Sequence, residues 1–230
     1  FDAPNPRATL VFFHAGYWQS RDKSTFRFIA PAFTPHGVQV ALVNYPLCPH
    51  VSLADLVAAA RRATTAVRAH ALALNPTVLP LIAAGHSAGA HIAVELACTR
   101  WQQPALAPVV RGVVALSGVY DLAPLLGTTL NTHLGLDEAG ALRHSPLWRV
   151  PPVAPPALFA VGGTETPAFL AQSQAMHDAW REAGHASLLH TVDGADHFTL
   201  LQALVDADSA LHQGVLRLVD GLTDPAGSAQ

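Results

Sequence analysis

Charge is scarce in this sequence. Asp, Glu, Lys and Arg make up 13% of its 230 residues, against roughly a quarter in an ordinary soluble domain. The basic residues are scattered, Arg61-Arg62 being the only adjacent pair, and the net charge is −3 with a pI near 6.5. That leaves no basic footprint, so no nucleic-acid partner is expected. Cysteine is nearly absent. Cys48 and Cys98 make neither a disulfide framework nor a metal-spacing motif and read as small buried hydrophobes. No apolar run reaches the ~18 to 20 residues that a bilayer span requires, so no membrane partner is expected. No basic segment followed by an apolar stretch opens the chain, so no signal peptide is expected and a cytoplasmic location is the default. There is no His-Glu-x-x-His, no Cys-x-x-Cys and no Asp-rich calcium loop, which argues against a metalloenzyme. No metal and no cofactor are expected.

What the sequence does have is apolar surface. Half of the residues are hydrophobic and the mean hydropathy is +0.28, enough for a sizeable core. Strand-like and helix-like runs alternate, which predicts parallel strands joined by crossover helices. The strands read as Ala8–His14, Val38–Asn44, Val78–Ala84, Arg111–Ser117, Ala157–Gly162 and Ser187–Val192. The first two are continuously apolar, as suits strands covered on both faces. Helical spacing predicts helices over Val51–Leu74, with Ser52 as N-cap and Asp55 completing a near capping box, and over Ala90–Cys98, Pro167–Ala183 and Thr199–Leu218. Residues Val119–Pro156 are rich in proline and too long for a simple connection, so a lid-like insertion of short helices is expected over the site. The expected organisation is a single α/β domain over residues 1–222 and a flexible tail at 223–230.

The chemistry centres on Gly85-His86-Ser87-Ala88-Gly89. Gly-x-Ser-x-Gly between a strand and a helix is the nucleophile-elbow pattern. The turn is so tight that a side chain at either flanking glycine would clash, and it leaves the serine hydroxyl at its tip above the positive end of the following helix. The alternative is a glycine-rich turn that merely joins strand to helix.

A serine hydroxyl needs a base, and the base needs an orienting acid. In elbow hydrolases these follow in the order Ser, acid, His. His197, in Gly194-Ala195-Asp196-His197-Phe198, follows the sixth strand and can swing over the carboxyl edge of the sheet. It is one of 13 histidines, and position alone selects it. Glu165 is the carboxylate in the turn after the fifth strand, and Asp121, after the fourth, is its competitor. Asp193 and Asp196 lie too close in sequence to His197 to reach its far nitrogen. One donor to a tetrahedral oxyanion should be the N–H of Ala88. Another should come from the loop after the first strand, His14-Ala15-Gly16-Tyr17-Trp18. Each such donor is worth ~3 kcal/mol in the transition state.

Together these residues resemble the α/β-hydrolase superfamily, and more narrowly its kynurenine formamidase (arylformamidase) group and the esterases of the hormone-sensitive-lipase type. His14 to Trp18 resembles the group's His-Gly-Gly-x-Trp motif with Ala15 in place of the first glycine. Asn44 to Pro49 resembles its Tyr-x-Leu-x-Pro segment, and Gly85 to His91 matches Gly-His-Ser-Ala-Gly-x-His. Glu165 to Phe169 with Gln172-Ser173 resembles the acid segment, and Asp196-His197-Phe198 the base segment. The resemblance implies an α/β-hydrolase fold and acyl transfer to water, with Ser87 as nucleophile, His197 as base, Glu165 as orienting acid and the N–H groups of Gly16, Tyr17 and Ala88 as oxyanion hole. The family's N-terminal hairpin is not seen and the chain starts at Phe1, so upstream residues are expected to be missing. Trp18 and Phe198 are expected to line an aromatic-accepting pocket, with core packing as their alternative role. A small-molecule substrate is the expected partner, an arylformamide or a small ester, and a homodimer is left open. A hydrolase-like binding protein without activity is the competing class, disfavoured because nucleophile, acid, base and oxyanion loop occur in order.

Overall fold

In the computed structural model, which describes residues 1–75, 77–101 and 109–224, the apolar runs form one six-stranded, wholly parallel sheet. Its strands are β1 (Ala8–Phe13), β2 (Val38–Val43), β3 (Leu81–His86), β4 (Gly112–Leu116), β5 (Ala157–Gly162) and β6 (Ser187–Val192), in the spatial order β2-β1-β3-β4-β5-β6. The four inner strands β1, β3, β4 and β5 are buried throughout because both sheet faces are covered there, whereas the edge strand β6 is only partly covered. On one face Val11, Phe13, Leu81, Ala83, Val113 and Phe159 meet α1 (Leu53–Leu74), α2 (Ala88–Ala97) and α3 (Pro167–Glu182). On the other, Leu10, Phe12, Val40, Ile82, Val114 and Leu158 meet the segment around Phe26, Ile29 and Phe33. They also meet α4 (Leu200–Val205) and α5 (Ala210–Thr223). The alternation of successive strand residues between the two clusters is the period-two signature of a strand.

The topology positions the site. The chain leaves β1 for β2 on one side and returns to β3 on the other, so the order reverses between β1 and β3. In open α/β sheets ligands bind at the carboxyl ends of the strands beside such a switch point. The loop after β1 and the elbow after β3 are therefore spatial neighbours, with the register pairing Phe13 with Gly85.

Most of the expected elements are present, several with shifted ends, and four of the differences have a clear physical cause or bear on the site. The third strand runs Leu81–His86 rather than Val78–Ala84. Val78 is 60% exposed, and Pro80 has no N–H with which to extend the ladder. The helix after the elbow begins at Ala88, not Ala90, directly behind the nucleophile position. The first helix starts at Leu53, with the Ser52 hydroxyl accepting from Asp55 N–H at 3.1 Å. The expected helix over 199–218 is two helices. Between them Asp206 Oδ1 accepts from Asp208 N–H, and Ser209 Oγ caps α5 through His212 N–H at 3.0 Å. Short polar side chains that bond nearby backbone compete with helix continuation.

The insertion at 119–156 carries one-turn helices, Asn131–Leu134 and Glu138–Arg143, and two 3-10 turns. It is fastened at both sides of the site. Gln172 Oε1 on α3 accepts the N–H groups of Tyr120 and Asp121, each at 2.8 Å. Gln19, beyond the loop after β1, donates to Leu130 O at 3.0 Å. Cys48 and Cys98 are free and buried. The expected tail lies from residue 225 onward outside the described residues, and Thr223 closes α5.

Candidate active site

Ser87 sits between β3 and α2 with φ 57° and ψ −118°. A non-glycine residue there is strained by ~1–3 kcal/mol, which the surroundings must offset. The flanking glycines are what permit it. A Cβ on Gly85 would lie 2.1 Å from Gly89 O, and one on Gly89 would lie 1.9 Å from Phe13 O. The residue is 3% exposed, and its N–H donates to Leu116 O at the end of β4 at 2.8 Å.

Glu165 lies in the turn between β5 and α3. Its Oε2 accepts from His197 Nδ1 at 2.7 Å, and its Oε1 accepts from Gly162 N–H at 2.8 Å and from the Ser117 hydroxyl. Burial alone would push this carboxyl up. The bonds from His197, Ser117 and Gly162 outweigh it and hold Glu165 below the usual carboxylate range. The competitor, Asp121, instead accepts from Ala123 N–H and stands beside Ser145. Asp196 shapes the His197 loop. Its Oδ1 accepts from the N–H groups of Thr199 and Phe198 at 2.8 and 2.9 Å.

The His197 ring is walled by three others. Its centroid lies 4.5 Å from those of His86 and Phe169 and 5.5 Å from that of Phe198. His86 immediately precedes Ser87, so this stacking sets the His197 imidazole beside the elbow. In the tautomer that donates from Nδ1 to Glu165, a neutral ring has its Nε2 lone pair free. The Ser87 hydroxyl makes no hydrogen bond among the described residues.

The loop after β1 passes against the start of α2, since Phe13 O and His14 O are the atoms that crowd Gly89. Gly16 adopts φ 134°, and a Cβ there would meet Ser20 O at 2.1 Å. Tyr17 and Trp18 follow at φ 54° and 61°. Ala88 N–H opens α2 and so has no intrahelical acceptor. Tyr17 and Phe198 are 49% and 64% exposed. Trp18, expected to face a ligand, is 1% exposed. Its indole N–H donates to His91 Nδ1 at 3.2 Å, so the structure gives it the packing role that was its alternative.

A family model described as the alpha/beta hydrolase fold matches residues 10–140. Kynurenine formamidase from Salmo salar is 32% identical over 216 residues, covering 91% of this chain and 72% of that protein. That from Danio rerio is 31% identical over 215 residues with the same shares. The chain belongs to the α/β-hydrolase family, and within it resembles the kynurenine formamidases. Among solved structures, a thioesterase candidate from Silicibacter superposes with a TM-score of 0.79 at 29% identity, over 97% of this chain and 79% of that one. Esterase 2 of Thermogutta terrifontis shares the fold at a TM-score of 0.74 and 24% identity, over 96% and 86% of the two chains.

The protein is thus a hydrolase, and its sequence concealed two contacts of the site. Ser117 steadies Glu165 from the end of β4 at φ 47°. The signal was its place at the tip of the strand between those of the nucleophile and the acid. His86, which the motif shows before the serine without giving it a role, forms one wall of His197. Burial, and then the coulombic influence of the adjacent His197, hold His86 down at about 3, so this wall is a neutral ring. A cavity of about 560 Å³ among Arg61, Arg62, Arg100 and Trp101 contains none of these residues. Among the described residues no group of three His, Cys, Asp or Glu is placed to hold a metal, and no helix is long and apolar enough to cross a membrane.

Proposed function

We propose that the protein is a serine hydrolase that cleaves a small aromatic formamide, of the N-formylkynurenine kind, through a formyl-enzyme. The observation that carries this is the Glu165–His197 bond of 2.7 Å, in a ring stacked beside the strained Ser87 elbow. The similarity to proteins named kynurenine formamidase supports the substrate class.

Ser87 Oγ attacks the formyl carbon while His197 Nε2 takes its proton, and Glu165 stabilises the imidazolium that results. The negative charge on the carbonyl oxygen is met by the N–H groups of Gly16, Tyr17 and Ala88, the last with the positive end of α2 behind it. An arylamine anion is a poor leaving group, so the C–N bond breaks as His197 returns the proton to nitrogen. Water then enters, His197 accepts its proton, and the formyl ester is hydrolysed to formate with Ser87 restored. A formyl group needs little room on the acyl side. The specificity therefore falls to the leaving-group side, where Tyr17 and Phe198 offer exposed rings.

A carboxylesterase for short-chain or aromatic esters is the second reading, favoured by the thioesterase candidate at 29% identity, since the same acyl transfer serves esters and thioesters. The test has two parts. Ser87→Ala should lower kcat by ~10⁴ to 10⁶ with the fold intact, and unchanged turnover would end the proposal. The ratio of kcat/KM for N-formylkynurenine over p-nitrophenyl acetate should exceed one, and the reverse would favour the esterase reading.

A further inference from the structure

The proposed chemistry depends on the loop 14–18, and one buried side chain outside the Ser87, His197 and Glu165 group grips it. We propose that His91 is a positioning residue. One nitrogen of its ring holds the oxyanion loop through the Trp18 indole, and the other ties that loop to the 119–156 insertion. The inference rests on the reading of Gly16, Tyr17 and Ala88 as the oxyanion hole.

Tyr17 and Trp18 are consecutive non-glycine residues in the left-handed region. Such a pair persists only where its surroundings over-determine it. Trp18 is held at two points. Its carbonyl accepts from Cys48 N–H at 2.9 Å, and its indole N–H donates to His91 Nδ1 at 3.2 Å, with the two rings edge to face at 5.2 Å. An indole can only donate. His91 Nδ1 must therefore be bare, and the proton of the neutral ring lies on Nε2, which faces His144 O at 2.8 Å. Both nitrogens are used and the tautomer is fixed by its partners. His91 is fully buried and acts through Trp18 rather than on a substrate.

The surroundings keep the ring neutral. Burial pushes His91 below its ordinary value. Glu95, also on α2, lies 3.8 Å from Nε2 and would favour protonation, but it is engaged by Arg149 and lies 3.9 Å from Arg61. The bond to His144 O would also favour protonation, whereas the nearby His144 ring and Arg149, from the insertion, oppose it, and burial outweighs the rest. A doubly protonated ring would set N–H against N–H at Trp18 and release the loop. His91 stands four residues after Ser87 on the same helix, so nucleophile, oxyanion loop and insertion share one imidazole.

Steady-state kinetics on N-formylkynurenine with the full chain test this. Trp18→Phe removes the donor and keeps a ring, His91→Leu removes the acceptor, and His91→Asn restores an oxygen near the place of Nδ1. Trp18→Phe and His91→Leu should each lower kcat ~10- to 100-fold with KM within about threefold, as misplacement of transition-state donors does. The double variant should be no worse than the poorer single, and His91→Asn should recover kcat to within about fivefold of the parent. Folded single variants with parental kcat, additive losses in the double, or no recovery in His91→Asn would overturn the proposal. Should His91→Leu fail to fold, Trp18→Phe and His91→Asn decide it alone. Turnover that survives Ser87→Ala would sink the serine mechanism instead, a separate result.

Discussion

Three donors converge on the Glu165 carboxylate. The proposed mechanism uses the His197 Nδ1–H bond, while Ser117 and Gly162 both fix the other oxygen so that Oε2 faces the ring. Replacing the acid by its amide keeps the size and reverses the hydrogen-bonding logic. Glu165→Gln presents an N–H to Nδ1, favours the wrong tautomer and cannot stabilise an imidazolium. It should lower kcat by ~10³ to 10⁴ with little change in KM, measured by steady-state kinetics on the formamide. Ser117→Ala is milder. It removes one charge-assisted bond and should cost about 1–3 kcal/mol in urea unfolding, with kcat within about tenfold of the parent. Ser117 could not be read in advance because its partner is 48 residues away and meets it only once β4 lies beside β5. That Trp18 is buried was hidden for a related reason. A motif shows which residues occur beside a nucleophile, but whether an aromatic side chain faces ligand or core depends on what packs over it.

At the scale of elements, the inner strands β1, β3, β4 and β5 were legible because they are buried throughout, which demands largely apolar runs. The elbow was legible because a backbone turn this tight admits only glycine at two positions. The break in the last helix was not, because Asp206 to Ser209 interrupts a sequence whose apolar period continues on either side. That break has a checkable anchor. Ser209 Oγ accepts from His212 N–H as the N-cap of α5, and it makes no hydrogen bond with Ser87, Glu165 or His197 among the described residues. Ser209→Ala should destabilise the protein by ~1 kcal/mol, seen as a lower urea midpoint, with kcat unchanged. A midpoint equal to the parent's would mean that Asp206 and Asp208 define the break without the cap.

Over the whole molecule, one reversal of strand order places the loop after β1 beside the elbow after β3, and the strands on the other side deliver Glu165 and His197 in turn. The sheet order explains why acid and base follow the nucleophile in sequence yet meet at one edge. Burial of the site also sets how stability responds to pH. His86 is held at about 3 when folded, against 6.5 for an ordinary histidine. Between those values the unfolded chain binds a proton that the folded one does not, so stability falls as pH drops below about 6.5. His14, His91 and His144 are lowered by burial in the same sense. Glu165 is lowered too, and its contribution, full above the usual carboxylate value of 4.5, is lost as pH falls through its folded value. Urea midpoints should therefore decline steadily from pH 7 to 4, and His86→Leu should make that decline shallower from about pH 6.5 down to 4.

The most direct measurement is covalent labelling of the native protein with a fluorophosphonate, followed by peptide mapping. Activated serine should carry the adduct on the peptide that contains Ser87, with loss of formamide turnover in step with labelling and no adduct in His197→Ala. Full turnover by unlabelled protein, or an adduct at any other serine, would contradict the account.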